Sequence, residues 1–420
     1  MTQKARVIAV VAVVVSVILF GGRPVNAGVE ERKKIVIFLA DVPLTVQQLV
    51  VALSGSTVVH TLSLINALAI ELPLVGTVEA LTFLLQHTLV VGVFDDLIGL
   101  ANSITPLSAE AMPQEEIYDW GLERIGVAMV HQDRPALTGE GVTVAILDTG
   151  IDGEHAELQQ HIVGGFNARP GGGRYTDDNG HGTHMAGIIA AAENAQGIVG
   201  VAPQANMVAV KVLDANGRGY LSDLINGLQW VYGKRFRLVN MSLGFLEDSV
   251  PLERAVKRLY ERNIIMVAAA GNCTSGDGGA EEGGGDEGEK VSTTCSDAQP
   301  VMYPARYPWV IAVTAIDHND QVTNYSRRGL EVDLAAPGGV RTGVQILSAN
   351  RGGGYGYSSG TSQAAAHVTG AIALLLQQQP GLSLQQLLAL LGQTATDLGY
   401  PEAWQGVGLL AVERLVEALQ

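Results

Sequence analysis

The sequence has few cysteines, few basic residues and few long apolar runs, and each shortage excludes some classes of protein. Two cysteines among 420 residues allow a single disulfide. Only 26 basic residues stand against 42 acidic ones, and no basic stripe is present, so we expect no nucleic-acid partner. Beyond Phe20 no apolar run is long enough for a transmembrane helix, and we expect no stable membrane association. The 47 % of hydrophobic residues suffices for a large core and two or more domains.

The N-terminus has the pattern of an export signal. Lys4 and Arg6 provide a positive start, and an apolar stretch over 7–20 follows. Small residues ending at Ala27 precede the expected cleavage, so residues 1–27 are predicted to be a signal peptide. The alternative is an uncleaved membrane anchor. A signal peptide implies a secreted protein, or a periplasmic one if the host has an outer membrane.

Residues 28–105 have the order β-α-β-β-α-β. This order predicts a small ferredoxin-like α+β domain, and its place between a signal and a larger region predicts a propeptide. Its strands are expected at 35–39, 58–62, 67–72 and 90–94, and its helices at 45–53 and 77–85. Residues 106–116 contain Pro106, Pro113 and several polar residues, which is typical of a linker and processing region.

Residues 117–420 alternate apolar β-type runs with helical runs. This alternation predicts an α/β domain whose mostly parallel sheet is covered by helices on both faces. The strands are expected at 142–147, 207–213, 238–242, 264–269 and 310–315, and helices at 183–192, 221–232 and 252–261.

One acidic, glycine-rich insertion at 273–298 breaks this pattern. Its composition cannot form a core and predicts a solvated loop. Cys273 and Cys295 lie towards its two ends, and export makes a disulfide between them permissible. We expect this disulfide to pin the base of the loop; two unpaired thiols are the alternative.

Four short motifs place reactive side chains where strands end or helices begin. A buried apolar run ends at Asp148 before a glycine turn, and another delivers Asn272. His181 lies in Asn-Gly-His-Gly-Thr-His, and Ser362 lies in Gly-Thr-Ser before a run of small helix-forming residues. A serine needs a base and an orienting acid to act as a nucleophile, and His181 and Asp148 are candidates for these roles.

Each motif alone also has a plainer interpretation. Asp148 could cap the next turn, Asn272 could form a turn, and His181 could be a structural imidazole. His181 and His184 lie three residues apart, as metal ligands on a helix can, but no glutamate is placed as in His-Glu-x-x-His.

Together, Asp-Thr-Gly-Ile at 148–151, Asn-Gly-His-Gly-Thr-His at 179–184 and Gly-Thr-Ser at 360–362 resemble the subtilisin-like serine proteases. The resemblance covers about residues 117–420. It implies a three-layer fold with a mostly parallel central sheet. Residues 28–105 resemble the inhibitor-type prodomain of the same family.

The resemblance implies a role for each motif. Ser362 corresponds to the nucleophile, His181 to the general base and Asp148 to the acid that orients the imidazole. Asn272 and the Ser362 backbone N–H correspond to the oxyanion hole. Extended substrate is expected to pair with one strand, and the residues predicted to bind it are Ser242, Leu243, Gly244, Ala270 and Gly271.

Two residues depart from the family pattern. Gln363 replaces the methionine commonly found after the nucleophile, which removes an oxidisable thioether. Ala366 replaces a common proline in the following helix, a change expected to alter the position of Ser362 slightly. These departures bear on rate and on the balance of hydrolysis and aminolysis.

A structural calcium ion is a further implication of the resemblance. Glu157 lies where the family often has an acidic ligand, Asn194 lies in a loop similar to the ligand loop, and Glu116 adds a side-chain oxygen. The chemistry itself is expected to need no cofactor.

We therefore expect a monomeric, secreted serine endopeptidase. It would be made as a zymogen, would act on proteins or peptides and would be inhibited by its own propeptide. One alternative is a catalytically silent binding protein that uses the acidic insertion as its contact surface. Another is a transpeptidase or ligase, suggested only by Ala366.

Overall fold

The computed structural model describes residues 30–101, 105–106, 113, 115–273, 295 and 299–419. The predicted signal peptide, most of the linker and most of the acidic insertion lie outside these residues. The chain divides into two compact units, of which one ends at Asp96 and the other begins at Leu97. This division falls earlier than the domain boundary expected at residue 105.

The first unit is a four-stranded antiparallel sheet with two helices. Its strands lie in the order β2-β3-β1-β4, which is the ferredoxin-like arrangement expected from the sequence. One face of the sheet and the helices bury an apolar core that includes Phe38, Val51 and Leu68. The elements are β1 (Lys33–Phe38), α1 (Leu44–Leu53), β2 (Thr57–Leu62), β3 (Ala67–Glu71), α2 (Thr77–Gln86) and β4 (Val90–Asp95).

The second unit is built on a seven-stranded parallel sheet. The strand order is β14-β13-β12-β11-β7-β9-β8, and every pair in it is parallel. These strands are β7 (Thr143–Asp148), β8 (Ile162–Asn167), β9 (Asn206–Lys211), β11 (Leu238–Met241), β12 (Ile265–Ala269), β13 (Ile311–Ile316) and β14 (Leu334–Pro337).

Every residue of β11, β12, β13 and β14 is buried. Side chains of a strand alternate between the two faces of its sheet, so both faces must be covered. The predicted α/β fold with a parallel central sheet and helices on both faces is therefore confirmed.

Short strands and helices complete the second unit. The short strands are β5 (Ile98–Leu100), β6 (Thr105–Pro106), β10 (Arg218–Tyr220), β15 (Ile346–Asn350) and β16 (Gly354–Ser358). The helices are α3 (Trp120–Arg124), α4 (Val127–Asp133), α5 (His181–Ala190), α6 (Leu221–Lys234), α7 (Val250–Tyr260), α8 (Thr361–Gln378), α9 (Leu384–Thr394), α10 (Glu402–Gln405) and α11 (Val412–Glu417).

Two helices of this unit matter most for the site. The helices α5 and α8 pack against each other, and α8 also packs on β11, β12 and β13. Every residue of α5 is buried, because glycine and alanine in its sequence allow close packing. Both helices begin at the same edge of the sheet, where β7 and β12 end.

Candidate active site

Asp148 and His181 form a fully buried pair. Asp148 is the last residue of β7, and His181 is the first residue of α5. The His181 Nδ1 atom lies 2.8 Å from one carboxylate oxygen of Asp148 and 2.9 Å from the other. A carboxylate only accepts hydrogen bonds, so Nδ1 carries the proton and Nε2 is left as an acceptor. Within the described chain, the buried Nε2 has no hydrogen-bond partner.

A close backbone approach brings these two residues together. A β-carbon on Gly182 would lie 2.0 Å from the Gly150 carbonyl oxygen and 3.1 Å from the Asp148 β-carbon. Only glycine therefore lets the first turn of α5 lie against the turn that follows β7. Gly182 of the motif around His181 is therefore required by the geometry of the site.

Asp177 organises the turn before α5, and the sequence analysis did not single it out. Its side chain is only 6 % exposed. A buried carboxylate must be satisfied by donors, and this one accepts five hydrogen bonds of 2.6–3.0 Å. The donors are the hydroxyls of Thr149 and Thr183 and the backbone N–H groups of Asn179, Gly180 and Thr183. An aspartate just before a predicted helix start was the signal that could have found it.

Lys211 ties the end of β9 to the same turns. Its ammonium group is buried and donates to the Thr149 carbonyl oxygen at 2.6 Å and to the Leu213 carbonyl oxygen at 2.8 Å. It also forms a 2.6 Å ion pair with the half-exposed Asp178. The buried cation is thus fully paired, and it holds the loop between β7 and α5 in place.

Ser362 is the second residue of α8 and is 3 % exposed. Its hydroxyl donates to the Ser242 carbonyl oxygen at 3.2 Å, and the Ser242 hydroxyl donates to the Ser362 carbonyl oxygen at 3.0 Å. Among the described residues, no hydrogen bond joins Ser362 to His181. Such catalytic contacts commonly tighten only when substrate binds.

Asn272 follows β12 with a fixed amide orientation. Its side-chain carbonyl oxygen accepts hydrogen bonds from the Thr361 backbone N–H at 3.0 Å and from the Thr361 hydroxyl at 3.2 Å. The Gly271 N–H in turn donates to the Thr361 hydroxyl at 3.1 Å. The amide N–H₂ of Asn272 therefore faces away from Thr361, a residue that the sequence analysis did not name. Together with the backbone N–H of Ser362 in the first turn of α8, this amide can stabilise a negative oxygen.

Residues 97–101 lie as an extra strand beside the segment that contains Ser242, Leu243 and Gly244. The strand β5 pairs antiparallel with β10, and Leu100 forms an antiparallel bridge with Gly244. The Ala101 N–H donates to the Gly217 carbonyl oxygen at 2.9 Å. An extended chain therefore fits between 217–221 and Gly244, which is the strand addition expected for a peptide.

Ala270 and Gly271 face Met302, a residue that the sequence analysis missed. The Met302 N–H donates to the Ala270 carbonyl oxygen at 2.9 Å. A β-carbon on Gly271 would lie 2.5 Å from the Met302 sulfur, and one on Gly244 would lie 2.9 Å from the Met302 β-carbon. The methionine side chain therefore lies between the two predicted substrate-binding segments.

Cys273 and Cys295 form a disulfide, as predicted, with Cα atoms 5.5 Å apart. The Cys273 N–H donates to the Tyr325 carbonyl oxygen at 2.9 Å, and the Cys295 N–H donates to the Asn324 carbonyl oxygen at 2.7 Å. The bridge therefore anchors the residue directly after Asn272 to the 324–325 segment. The other residues of the insertion lie outside the described residues.

The predicted calcium ligands meet at one loop. Glu116 accepts hydrogen bonds from the backbone N–H groups of Asn194 and Ala195 at 2.7 and 3.1 Å. Glu157 accepts from the Asn194 side chain at 2.8 Å and from the Tyr355 hydroxyl at 2.5 Å. Burial raises the pKa of the Glu157 carboxyl. Among the described residues no group of three or more histidine, cysteine, aspartate and glutamate side chains is arranged to hold a metal.

The two departures from the family pattern lie in a continuous helix. Ala366 is buried in α8, which runs unbroken from Thr361 to Gln378. Gln363 is fully buried, and neither polar atom of its amide has a partner in the part of the chain that the structure describes. Gln363 is thus an uncompensated polar group directly after Ser362.

Two buried imidazoles lie behind the site. Burial lowers the pKa of His184 to about 3, and the neighbouring His181 adds to this shift. Burial also lowers the pKa of His367 to about 4. Both are therefore neutral at pH 7. The His184 Nε2 atom lies 3.1 Å from the Gly356 carbonyl oxygen, so His184 is a structural imidazole and not half of a metal site.

In the described part of the chain, no helix combines the length and the apolar character needed to span a bilayer.

Comparison with known proteins gives a consistent picture. Residues 139–409 match the family model described as the subtilase family. Subtilisin BL from Lederbergia lenta is 40 % identical over 294 residues, which are 70 % of this chain and 97 % of that protein. A thermostable alkaline protease from Halalkalibacterium halodurans is 38 % identical over 71 % of this chain and 73 % of its own. The minor extracellular protease Epr from Bacillus subtilis is 39 % identical over 72 % of this chain and 44 % of its own.

Proposed function

The chain belongs to the subtilase family, and from that premise we propose that it is a secreted serine endopeptidase made as a zymogen. The observation that carries the proposal is the buried Asp148–His181 pair, whose free Nε2 lies at the edge where α8 presents Ser362. The predicted signal peptide and the extracellular protease among the relatives support export.

The proposed reaction is acyl transfer through Ser362. His181 accepts the hydroxyl proton at Nε2 while the serine oxygen attacks the peptide carbonyl carbon, and Asp148 stabilises the imidazolium that forms. His181 then returns the proton to the leaving amine. A water molecule, activated by the same imidazole, hydrolyses the acyl-enzyme. No cofactor takes part in these steps.

The oxyanion of each tetrahedral intermediate is proposed to lie at the start of α8. Asn272 donates from its amide N–H₂, because Thr361 holds the carbonyl side of the amide away. The Ser362 N–H is the second proposed donor. Such preorganised donors stabilise charge that exists only during the reaction.

The zymogen part of the proposal rests on residues 97–101. They follow the first unit directly and form a strand with β10 and Gly244. One residue of a chain bound in this register faces Gly244. If the chain continues in the same register, the second residue after that one lies opposite Ser242. In the sequence the second residue after Leu100 is Asn102, which lies outside the described residues. We therefore expect the first self-cleavage after Asn102, with the 28–102 segment acting as propeptide and inhibitor.

The direct test replaces the nucleophile. Ser362→Ala should leave the precursor uncut and abolish peptide hydrolysis, whereas Ser359→Ala, three residues earlier in the same approach to α8, should do neither. A fluorophosphonate probe should label the wild-type protein and Ser359→Ala at Ser362 only. Hydrolysis by Ser362→Ala would overturn the proposal, and absence of labelling in the wild type would favour a silent binding protein.

A ligase is distinguished by its products. With an added amine nucleophile, a protease should give mainly hydrolysed peptide, because water is the acceptor of the acyl group in the proposed reaction. Predominant aminolysis, measured by mass spectrometry, would assign the transpeptidase alternative instead.

We also propose that the loop 193–198 binds one calcium ion. Glu116, Glu157 and Asn194 supply hard oxygen atoms there, and the raised pKa of Glu157 reflects a buried carboxylate that a divalent cation would compensate. These residues would hold the ion in a structural role away from the reaction. Chelation should lower the melting temperature of Ser362→Ala protein, and Glu157→Gln should remove this response. An unchanged melting temperature with chelator would refute the site.

A further inference from the structure

The strand β5 shows which way a bound chain turns its side chains. Gly99 pairs with Gly219 and is buried, whereas Leu100 pairs with Arg218 and is 57 % exposed. Successive residues of a strand face opposite sides. A peptide bound in this position therefore directs the residue opposite Gly219 into the protein and the next residue outwards.

The inward position has no room for a side chain. A β-carbon on Gly99 would lie 2.8 and 2.9 Å from two ring carbons of Phe245 and 3.3 Å from the Gly244 carbonyl oxygen. Non-bonded carbon atoms rarely approach so closely, because their optimal separation is about 3.5–4.0 Å. Any residue larger than glycine must displace the Phe245 ring.

The backbone that carries the Phe245 ring is held in place. Phe245 is 2 % exposed, and its backbone exchanges two hydrogen bonds with Tyr303, of 2.8 and 2.9 Å. The backbone is therefore fixed on this side, and the ring can make room only by rotating about its side-chain bonds, at a cost in packing.

The strand β10, on the other side of the bound chain, has no space to move away. A β-carbon on Gly219 would lie 2.2 Å from the Val212 carbonyl oxygen and 2.8 Å from a Leu213 methyl carbon. The strand β10 is therefore in direct contact with the backbone behind it. A bound chain lies between β10 on one side and the Phe245 ring on the other, and the gap fits a residue with no side chain.

We infer that Phe245 is a specificity-determining residue that restricts substrates to glycine at the position opposite Gly219. The inference rests on the proposed endopeptidase function and on the register of β5. In that register the glycine is the third residue before the one opposite Ser242, so it is the fourth residue on the amino side of the cleaved bond. Overpacking a site by one methyl group commonly reduces binding by about tenfold, and a larger side chain by more.

The first test uses the wild-type mature protein and three p-nitroanilide peptides, Ile-Gly-Leu-Ala-Asn, Ile-Ala-Leu-Ala-Asn and Ile-Leu-Leu-Ala-Asn. We expect kcat/KM to fall by about tenfold from glycine to alanine and further to leucine. Equal rates for the three peptides would overturn the inference and leave the proposed function intact. Hydrolysis of casein without hydrolysis of the glycine peptide would also overturn it.

The two proposals fail in distinguishable ways. If neither casein nor any peptide is cut and fluorophosphonate does not label Ser362, the endopeptidase function is overturned and this inference with it. If labelling and casein hydrolysis are normal, the endopeptidase function stands. The kcat/KM values of the three peptides then test the role of Phe245 by themselves.

The second test changes the ring itself. Phe245→Ala should raise kcat/KM for the leucine peptide relative to the glycine peptide by about tenfold or more. The matched control is Leu246→Ala, since Leu246 is the next residue and its side chain is 56 % exposed. This control should keep the glycine preference. If Phe245→Ala fails to fold, Phe245→Leu should relax the preference partly, and an unchanged preference in Phe245→Leu would contradict the inference.

Discussion

The two sides of the active site are built differently. On the base side, Asp148 and His181 are fully buried, and the turns that carry them are fixed by Asp177 and Lys211. On the oxyanion side, Asn272 is partly exposed and its amide is oriented by Thr361, and its next neighbour is joined by a disulfide to Cys295 towards the far end of the acidic insertion. One side therefore depends on the core of the domain, and the other depends partly on a loop.

This difference separates two functions of the site. The base must keep one tautomer and one orientation, and the buried hydrogen bonds between Nδ1 and Asp148 enforce both. The oxyanion donor must adapt to a substrate that enters from solvent, so it lies at the surface. Changes on the base side should therefore affect all substrates equally, whereas changes near Asn272 can act through the insertion.

The largest expected effect is on the base side. Asp148→Asn should lower kcat by about 10⁴, because an asparagine can hold His181 in the wrong tautomer. The effect should be equal for short and long peptides in steady-state assays. The control Asp152→Asn lies four residues on, at a loop carboxylate that accepts hydrogen bonds from the backbone N–H groups of Glu154 and Gly352, and it should keep near wild-type activity. A drop below tenfold for Asp148→Asn would contradict the assigned role.

The oxyanion side should give a smaller loss. Asn272→Ala should lower kcat by about 10²–10³ with little change in KM, because this donor acts mainly on the transition state. The control Asn226→Ala removes an amide that donates to the Ala168 carbonyl oxygen on another part of the domain. A rise in KM at unchanged kcat would mean that Asn272 binds substrate and does not stabilise the oxyanion.

Removing the disulfide tests whether the insertion reaches the oxyanion side. The double variant Cys273→Ser, Cys295→Ser opens a loop of sequence separation 22, which should cost about 3 kcal/mol of unfolding free energy. We also expect kcat to fall by about tenfold, because Asn272 loses its anchored neighbour.

The base side should not respond to this change. The pH dependence of kcat/KM, which reports the essential base, should be the same in the double variant and the wild type. A shifted profile would show that the base side and the oxyanion side are coupled, and that they do not act independently.

The smallest effect concerns the imidazoles behind the site. A histidine whose pKa is lowered by folding stays neutral in the native state, so protonation of the unfolded chain removes stability as pH falls below about 6.5. Both His184 and His367 have this sign, with pKa values lowered to about 3 and about 4. Between pH 7 and pH 5 each should contribute a loss of about 2 kcal/mol. Urea unfolding of Ser362→Ala protein should show this loss.

The variant His367→Leu in the same Ser362→Ala background should remove the contribution of His367 to that loss, about 2 kcal/mol, since leucine does not titrate. An unchanged pH dependence would mean that His367 is accessible to protons in the folded protein. His87, a half-exposed residue of the first unit, provides the matched control as His87→Leu.

The sequence predicted the regular elements of both units well. The helix expected at 221–232 is α6, Leu221–Lys234, and the strand expected at 142–147 is β7, Thr143–Asp148. Their apolar periodicity is strong because these elements are buried. The strand β8 was missed, since Gly164 and Gly165 weaken its pattern.

Two of the residues missed in the site share a physical cause. Thr361 and Met302 act through contacts with segments distant in sequence, and no local pattern reports such contacts. Asp177 is different, because four of its five hydrogen bonds come from residues 179–183. Asp148 and His181 were found because strand ends, helix starts and glycines are local signals. The strand β5 was missed for the same reason as Met302, because its pairing partner is at 218–220.

The helix that carries Ser362 has one more consequence. Every residue from Thr361 to Leu376 is buried, so this helix cannot fray without opening the centre of the domain. Its amide hydrogens should exchange with deuterium only when the whole domain unfolds. Thermal inactivation should then follow the rate of global unfolding. Ser362 should stay active in every folded molecule, and unfolded molecules should be digested by the molecules that are still folded.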